Sequence, residues 1–145
     1  MAQARWIFEG AALVIVAAIV AGCESQWQHA ARNAPMPPDG LDYLMAVQCG
    51  GLSSAEATLD GDYAGSRADK RAGRFEGWAQ IRAREAGQDP ALARQDMAAS
   101  EKLFLEETGQ GPSIGRLHKL WDLHRGDLAA CHSLSEVEDV VIVGG

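Results

Sequence analysis

Residues 41–59 read LDYLMAVQCGGLSSAEATL and carry the clearest structural pattern in the chain. Their apolar residues recur at spacings of three, four and seven, which predicts an amphipathic helix with one buried face that ends at about Leu59. The pair Gly50-Gly51 inside this segment predicts either a break in the helix or a close approach by a neighbouring helix. The residues of the predicted buried face are Leu41, Leu44, Met45, Cys49, Leu52 and Leu59.

Three further segments have the same helical periodicity, over residues 66–86, 89–108 and 113–134. Short connections between four amphipathic helices favour antiparallel neighbours. The fold class predicted from the sequence is therefore all-α, a small antiparallel bundle of about four helices after an N-terminal signal segment. The expected buried face of the second helix comprises Ala68, Ala72, Phe75, Trp78, Ala79 and Arg82, and that of the third comprises Leu92, Asp96, Ala99 and Leu103. The expected buried face of the last helix comprises Leu117, Leu120, Trp121, His124, Leu128, Cys131 and Leu134.

Two cysteines, Cys49 and Cys131, lie on the predicted buried faces of the first and last helices. A bridge between packed helices requires such positions, so we predict a disulfide between them. It would close a loop of about 80 residues and contribute roughly 4 kcal/mol in the chain-entropy description. The alternative is two buried free thiols that pack as small hydrophobic groups.

The length and the net charge of the chain limit the classes of function that it can have. The 145 residues suffice for one domain with its own core, and 47% of them are hydrophobic. The chain has 13 basic and 20 acidic residues and a formal charge of −7. Because such a chain repels phosphate backbones, we do not expect a nucleic-acid partner.

An apolar run of ten residues, AALVIVAAIV, occupies positions 11–20. It is too short to span a bilayer, which takes about 20 residues, and extending it backwards brings Glu9 into the span. With Arg5 before it, the run has the size and flank of a signal peptide. We therefore expect residues 1–22 to be a signal peptide.

The residues Val20-Ala21-Gly22-Cys23 that end this run resemble the lipobox of bacterial lipoproteins. The resemblance implies cleavage before Cys23, lipidation of Cys23, and a periplasm-facing protein anchored in the bacterial cell envelope. Glu24 after the cysteine implies the outer membrane rather than the inner one. Lipidation also accounts for the third cysteine of the chain. The alternatives are an uncleaved N-terminal anchor and a plain secreted protein.

The rest of the chain divides into three parts. Residues 23–40 contain Pro35, Pro37 and Pro38 and predict an extended, lipid-anchored tether. Residues 41–134 form the predicted helical domain. Residues 135–145 include four consecutive β-branched residues and are expected to form an extended or loose tail.

The histidines suggest two kinds of chemistry. His118 and Asp122 have the i, i+4 spacing that a metal could bridge, but no third ligand is evident, so no metal or other cofactor is predicted. His124 is expected to be a hydrogen-bonded histidine at the edge of the core. Cys131-His132 resembles the end of the haem motif of cytochromes c′, with Leu128 where that motif has its first cysteine.

The second helix carries a local excess of positive charge, with Arg67, Lys70, Arg71 and Arg74 on one face. We expect this face to be solvated and to pair with acidic residues of the next helix, namely Glu101, Glu106 and Glu107. The alternative is an interaction face for anionic lipid, an anionic polymer or an acidic protein.

These observations favour a non-catalytic envelope lipoprotein that acts as a structural or protein-interaction module. The expected partners are the membrane, through the lipid anchor, and an envelope protein or anionic polymer. The alternatives are a degenerate cytochrome c′-like haem or redox bundle and an enzyme with an unrecognised site. No nucleophile elbow and no phosphate-binding glycine loop occurs in the sequence.

Overall fold

The computed structural model describes residues 36–61 and 67–142, with side chains through residue 136. In those residues the chain forms five helices and no strand, so the predicted all-α bundle is confirmed. The helices are α1 Tyr43–Asp60, α2 Arg67–Glu85, α3 Leu92–Glu107, α4 Ser113–Leu123 and α5 Arg125–Ile142.

Helix α1 has a defined signal at each end. The side chain of Asp42 accepts a hydrogen bond from the backbone N–H of Met45 at 2.7 Å, which satisfies one of the free donors of the first turn. Gly61 follows the helix with a φ of 66°, the left-handed conformation that glycine adopts without steric cost. Between these ends the helix runs without a break through Gly50 and Gly51.

Helix α1 is the central element, because it packs against each of the other four helices. Its buried residues therefore extend around most of its circumference instead of forming one stripe. Small side chains such as Ala46, Ser53 and Ala55 occupy much of this buried surface. The predicted stripe was wrong at two positions, since Leu44 is 62% exposed and Met45 is 41% exposed.

Helices α1 and α2 are antiparallel, because the beginning of each contacts the end of the other. Near the end of α2, Arg82 Nε donates to the Leu41 carbonyl at 2.7 Å; near its beginning, Arg71 donates to Glu56 at 2.9 Å. The predicted apolar face of α2 is confirmed, with Phe75 and Trp78 fully buried and in edge-to-face contact.

The last residues of the predicted tether belong to the packed domain. Pro37 is buried, and the Pro38 carbonyl accepts from Leu41 N at 3.1 Å and from Arg82 Nη2 at 3.1 Å. The expectation of a solvated tether as far as residue 40 was therefore wrong for this stretch. Arg82, which also holds the Leu41 carbonyl, is the reason.

Helix α3 crosses α1 at the glycine pair. A Cβ atom built on Gly50 would lie 2.6 Å from Met97 Cε, and one on Gly51 would lie 2.4 Å from Ser100 Oγ. The paired glycines thus allow the close helix approach that was one of the two expectations. The face of α3 that meets α1 contains the buried Ala93 and Met97.

The buried face of α3 is displaced by about one residue from the predicted face. Leu92 is 44% exposed and Leu103 is 62% exposed, although both were expected on the buried stripe with Asp96. Asp96 is also exposed and accepts a hydrogen bond from the Tyr43 hydroxyl. Contact with the small residues of α1, rather than the position of the largest apolar side chains, sets the orientation of this helix.

The segment predicted as one last helix forms two. It breaks at His124, whose φ of −120° and ψ of 27° are not helical, and α5 then continues to Ile142. Residues 135–142 are therefore helical, and the expected extended or loose tail was wrong over that range. Leu117, Leu120 and Leu128 are buried as predicted, but Trp121 is 39% exposed.

The predicted disulfide is confirmed. Cys49 of α1 and Cys131 of α5 are bonded, with their Cα atoms 5.5 Å apart. The bridge ties the central helix to the last one across a sequence separation of 82 residues. A loop of that length corresponds to about 4.5 kcal/mol in the chain-entropy description.

Among the described helices, none combines the length and the apolar character needed to cross a membrane. The predicted signal peptide, residues 1–22, and the predicted lipidation site, Cys23, lie outside the described residues.

Candidate interaction groove

A cavity of about 310 Å³ opens beside the disulfide, where α1, α3 and α5 meet. Its volume falls at the lower end of the range for ligand-binding clefts. The lining residues are Met45, Gln48, Cys49, Leu52, Phe104, His124, Asp127, Ala130, Cys131 and Leu134. We call this feature the disulfide groove.

The floor of the disulfide groove is apolar and rigidly held. Leu52 is 1% exposed, and the two bridged cysteines, Cys49 and Cys131, are also buried. Phe104 and Leu134 are half-buried and pack against the core from the sides. Met45 is more exposed than these residues, and its flexible thioether side chain can adapt to different apolar surfaces.

The rim of the groove is polar and acidic. His124 Nε2 lies 2.6 Å from Glu107 Oε2, and His124 Nδ1 lies 3.5 Å from Asp127 Oδ2. The His124 ring also contacts Phe104 edge-to-face, with ring centroids 4.8 Å apart. His124 is thus the hydrogen-bonded histidine at the core boundary that the sequence predicted, and it holds two carboxylates beside the groove.

Three exposed leucines stand next in sequence to groove-lining residues. Leu44, Leu103 and Leu123 are each more than half exposed, and each is the sequence neighbour of a groove-lining residue. Single exposed leucines are common on protein surfaces, so they do not by themselves indicate a binding site. The groove itself does, because it combines an apolar lining with a few polar groups. The groove is therefore the strongest candidate for an interaction site on the described surface.

A second polar cluster centres on Glu56 of α1. Its carboxylate accepts hydrogen bonds from Arg71 at 2.9 Å and Trp121 Nε1 at 3.2 Å, and His132 Nε2 lies 3.5 Å away. These partners come from α2, α4 and α5, so the cluster joins four helices. Because the Glu56 side chain is only 11% exposed, these partners offset the cost of its burial. His118 stacks on Trp121 at the outer edge of the cluster.

The predicted basic face is divided by the fold. Arg71 is bound to Glu56, and the Arg74 guanidinium donates to the Ser135 carbonyl of α5. Arg67 and Lys70 are exposed. The four side chains therefore do not form one free cationic surface, because the two arginines in the middle of α2 are turned toward other helices.

The acidic residues that were expected to pair with the basic face have other partners. Glu101 accepts from Thr58 at 2.8 Å, and Glu106 lies 3.9 Å from Lys102 of its own helix. Glu107 binds His124. The predicted pairing between α2 and α3 was therefore wrong, because α3 contacts α1 over most of its inner face.

In the described residues, the side chains that the hypothetical metal and haem sites would need are not brought together. Asp122 pairs with Arg125, and His118 stacks on an indole, so the i, i+4 pair is not joined. No group of three or more His, Cys, Asp or Glu side chains there is arranged to hold a metal ion. Haem attachment would require the Cys131 thiol, and the disulfide uses that sulfur.

One carboxyl group is buried away from these sites. The Glu76 side chain is 2% exposed, and its Oε2 has no hydrogen-bond partner among the described residues. Burial raises the pKa of Glu76, although the nearby Arg94 guanidinium and Gln80 amide act in the opposite direction. Glu76 lines neither of the two features above and represents a local cost in stability.

The groove was not visible in the sequence as a site. The sequence predicts a disulfide for Cys49 and Cys131 and a boundary position for His124, and it predicts no role for Asp127 or Ala130. The one available signal was a methionine on the predicted core stripe, since methionine often occurs at adaptable binding surfaces. The exposure of Met45 depends on the relative positions of three helices, which the local sequence pattern does not contain.

The fold and the groove define the class of the described part: an all-helical bundle with one disulfide and an open apolar cleft beside it. No protein-family model, curated protein or solved structure matches the chain.

Proposed function

We propose that the protein is a non-catalytic lipoprotein of the bacterial cell envelope whose helical domain binds another envelope protein through the disulfide groove. The observation that carries the proposal is the open apolar groove beside Cys49 and Cys131. A rigid floor, an adaptable methionine and a polar rim are the usual parts of a protein-binding surface.

The disulfide supports the compartment part of this proposal. Structural disulfides persist in oxidising compartments, including the periplasm, and are rare in the cytosol. The resemblance of Val20–Cys23 to a lipobox supports a membrane anchor, and Glu24 favours the outer membrane. A lipid on Cys23 would be 14 residues from the packed Pro37, which would keep the domain close to the membrane surface, where partners are concentrated by proximity.

Two experiments test the proposal. Labelled palmitate should enter the wild-type protein, and Cys23→Ser should abolish the label; equal labelling of the variant would contradict lipidation at this residue. A photoreactive amino acid at Ala130, in the groove, should yield one discrete adduct in intact cells that mass spectrometry identifies as an envelope protein.

The matched control places the same photoreactive group at Ala98, which is exposed on α3 outside the groove. The adduct from Ala130 should be absent at this position. Identical adducts from both positions, or none from Ala130, would mean that the groove is not the binding surface.

A further inference from the structure

We infer that the partner segment that occupies the disulfide groove carries large apolar side chains flanked by lysine or arginine. This inference rests on the proposed docking function and adds the chemistry of the partner. The argument comes from the charges around the groove and from the apolar character of its floor.

The apolar part of the partner follows from the floor. Leu52, Phe104, Leu134 and the disulfide offer no strong hydrogen-bonding group, so a polar side chain placed there would lose its water without compensation. An apolar side chain gains about 25 cal/mol for each Å² that it buries. Met45, at 41% exposure, can move to fit the shape of that side chain.

The cationic part follows from the rim. Asp127 is the carboxylate among the lining residues, and the described lining contains no lysine or arginine. Glu107 lies on the other side of the His124 ring. The side chain of Glu107 is 52% exposed, and that of Asp127 is 76% exposed. Exposed charges of one sign select partners of the opposite sign, because an acidic partner would meet repulsion.

The net charge of the whole chain also favours a cationic partner. A formal charge of −7 attracts cationic segments over distances longer than direct contact and raises their rate of association. Arg125, two residues before Asp127, pairs with Asp122 at 3.0 Å, and Arg71 and Arg74 of α2 are engaged by Glu56 and Ser135. Segments that bind in an apolar groove do so through apolar anchor residues on one face.

The test uses the full-length protein in a neutral detergent, with its methionine methyl groups labelled with carbon-13. Met45 reports on the groove, and the buried Met97 reports on the core. The probes are three short synthetic peptides with a central Leu-Phe pair, flanked by lysines, by glutamates or by serines. The lysine peptide should shift the Met45 signal, leave that of Met97 in place, and bind more tightly than the other two.

The test variant reverses the charge of one residue at the rim of the groove. Asp127→Lys should weaken binding of the lysine peptide about fivefold, which corresponds to roughly 1 kcal/mol, and should improve binding of the glutamate peptide. Asp60→Lys is the matched control, because Asp60 is exposed at the end of α1 and does not line the groove. It makes the same change in net charge and should leave both affinities nearly unchanged.

Several results would overturn the inference. Equal or tighter binding of the serine or glutamate peptide would show that the groove takes apolar groups without a cationic preference, and the proposed docking function would stand. An unchanged affinity after Asp127→Lys, or a Met45 signal that none of the peptides moves, would also reject the cationic segment. Failure of the docking function itself would appear separately, as the absence of a specific crosslink from Ala130.

Discussion

The contact between α1 and α3 at Gly51 gives the most stringent test of the fold. In Gly51→Ala, the new Cβ would lie 2.4 Å from Ser100 Oγ, 2.6 Å from Ser100 Cβ and 2.9 Å from the backbone nitrogen of Glu101. Real Cβ atoms do not approach other atoms so closely, so one helix must move. The backbone nitrogen cannot rotate away as a side chain can.

The expected loss of stability is the difference between two effects. Alanine in a helix interior is more favourable than glycine by about 1 kcal/mol. Overpacking of a well-packed contact costs about 1–3 kcal/mol, and a contact with backbone belongs at the upper end. Gly51→Ala should therefore lower the free energy of unfolding by about 1–2 kcal/mol.

Gly50→Ala is the matched comparison in the same helix. The nearest atoms to its new Cβ are Met97 Cε at 2.6 Å and Met97 Sδ at 2.7 Å, both near the end of a flexible side chain. Since Met97 can change rotamer, the gain in helix propensity and the cost of repacking should nearly cancel. We expect a change within about 1 kcal/mol of wild type.

The assay is urea unfolding at 25 °C of the oxidised proteins, followed by circular dichroism. Gly51→Ala should be less stable than both wild type and Gly50→Ala. Adding Ser100→Gly removes two of the three close contacts, so the double variant should show a favourable coupling of about 1 kcal/mol. A Gly51→Ala protein as stable as wild type, or no coupling with Ser100, would refute the close crossing of α1 and α3.

Replacing both Cys49 and Cys131 by alanine should lower the free energy of unfolding by about 2–4.5 kcal/mol, measured by urea unfolding against the oxidised protein. Trp121→Phe removes the indole donor to the buried Glu56 carboxylate and should lower the free energy of unfolding by about 1.5–3 kcal/mol; an unchanged stability would contradict this hydrogen bond. Because burial raises the pKa of Glu76 above its ordinary 4.5, the stability linked to this group is full below pH 4.5 and is lost as the pH rises through the folded-state pKa. Glu76→Gln should therefore be more stable than wild type at pH 7, with the difference between the two melting temperatures shrinking toward pH 4.

The periodicity of apolar residues was sufficient to predict the helical fold class and the buried apolar residues of α2. On α2 the apolar residues predicted to be buried, including Phe75 and Trp78, are buried. Glu76 and Gly77 between them are buried as well, because α2 contacts α1, α3 and α5. The cysteine pairing was also predictable, since Cys49 and Cys131 each lay on an apolar stripe, and the expected export to an oxidising compartment favours a disulfide.

Periodicity failed where a helix has several neighbours or where its contact surface is made of small residues. Helix α1 is surrounded, so its buried positions follow alanine, glycine and serine as well as leucine, and Leu44 is left outside. Helix α3 meets that small-residue surface through Ala93 and Met97, so its larger leucines face outward. Close packing between backbones decides such orientations, and hydrophobicity alone does not reveal it.

The amino-acid sequence by itself therefore determined that the described part of the chain is helical, which two cysteines join, and that Phe75 and Trp78 of α2 are buried, because each of these depends on spacing along one segment. The tertiary structure alone decided that His124 separates two helices, that Arg71 and Arg74 are drawn into contacts with other helices, and that a groove opens beside the disulfide. These features arise where three or more helices meet. Their geometry depends on the relative positions of side chains that are far apart in sequence, which periodicity within a single helix does not contain.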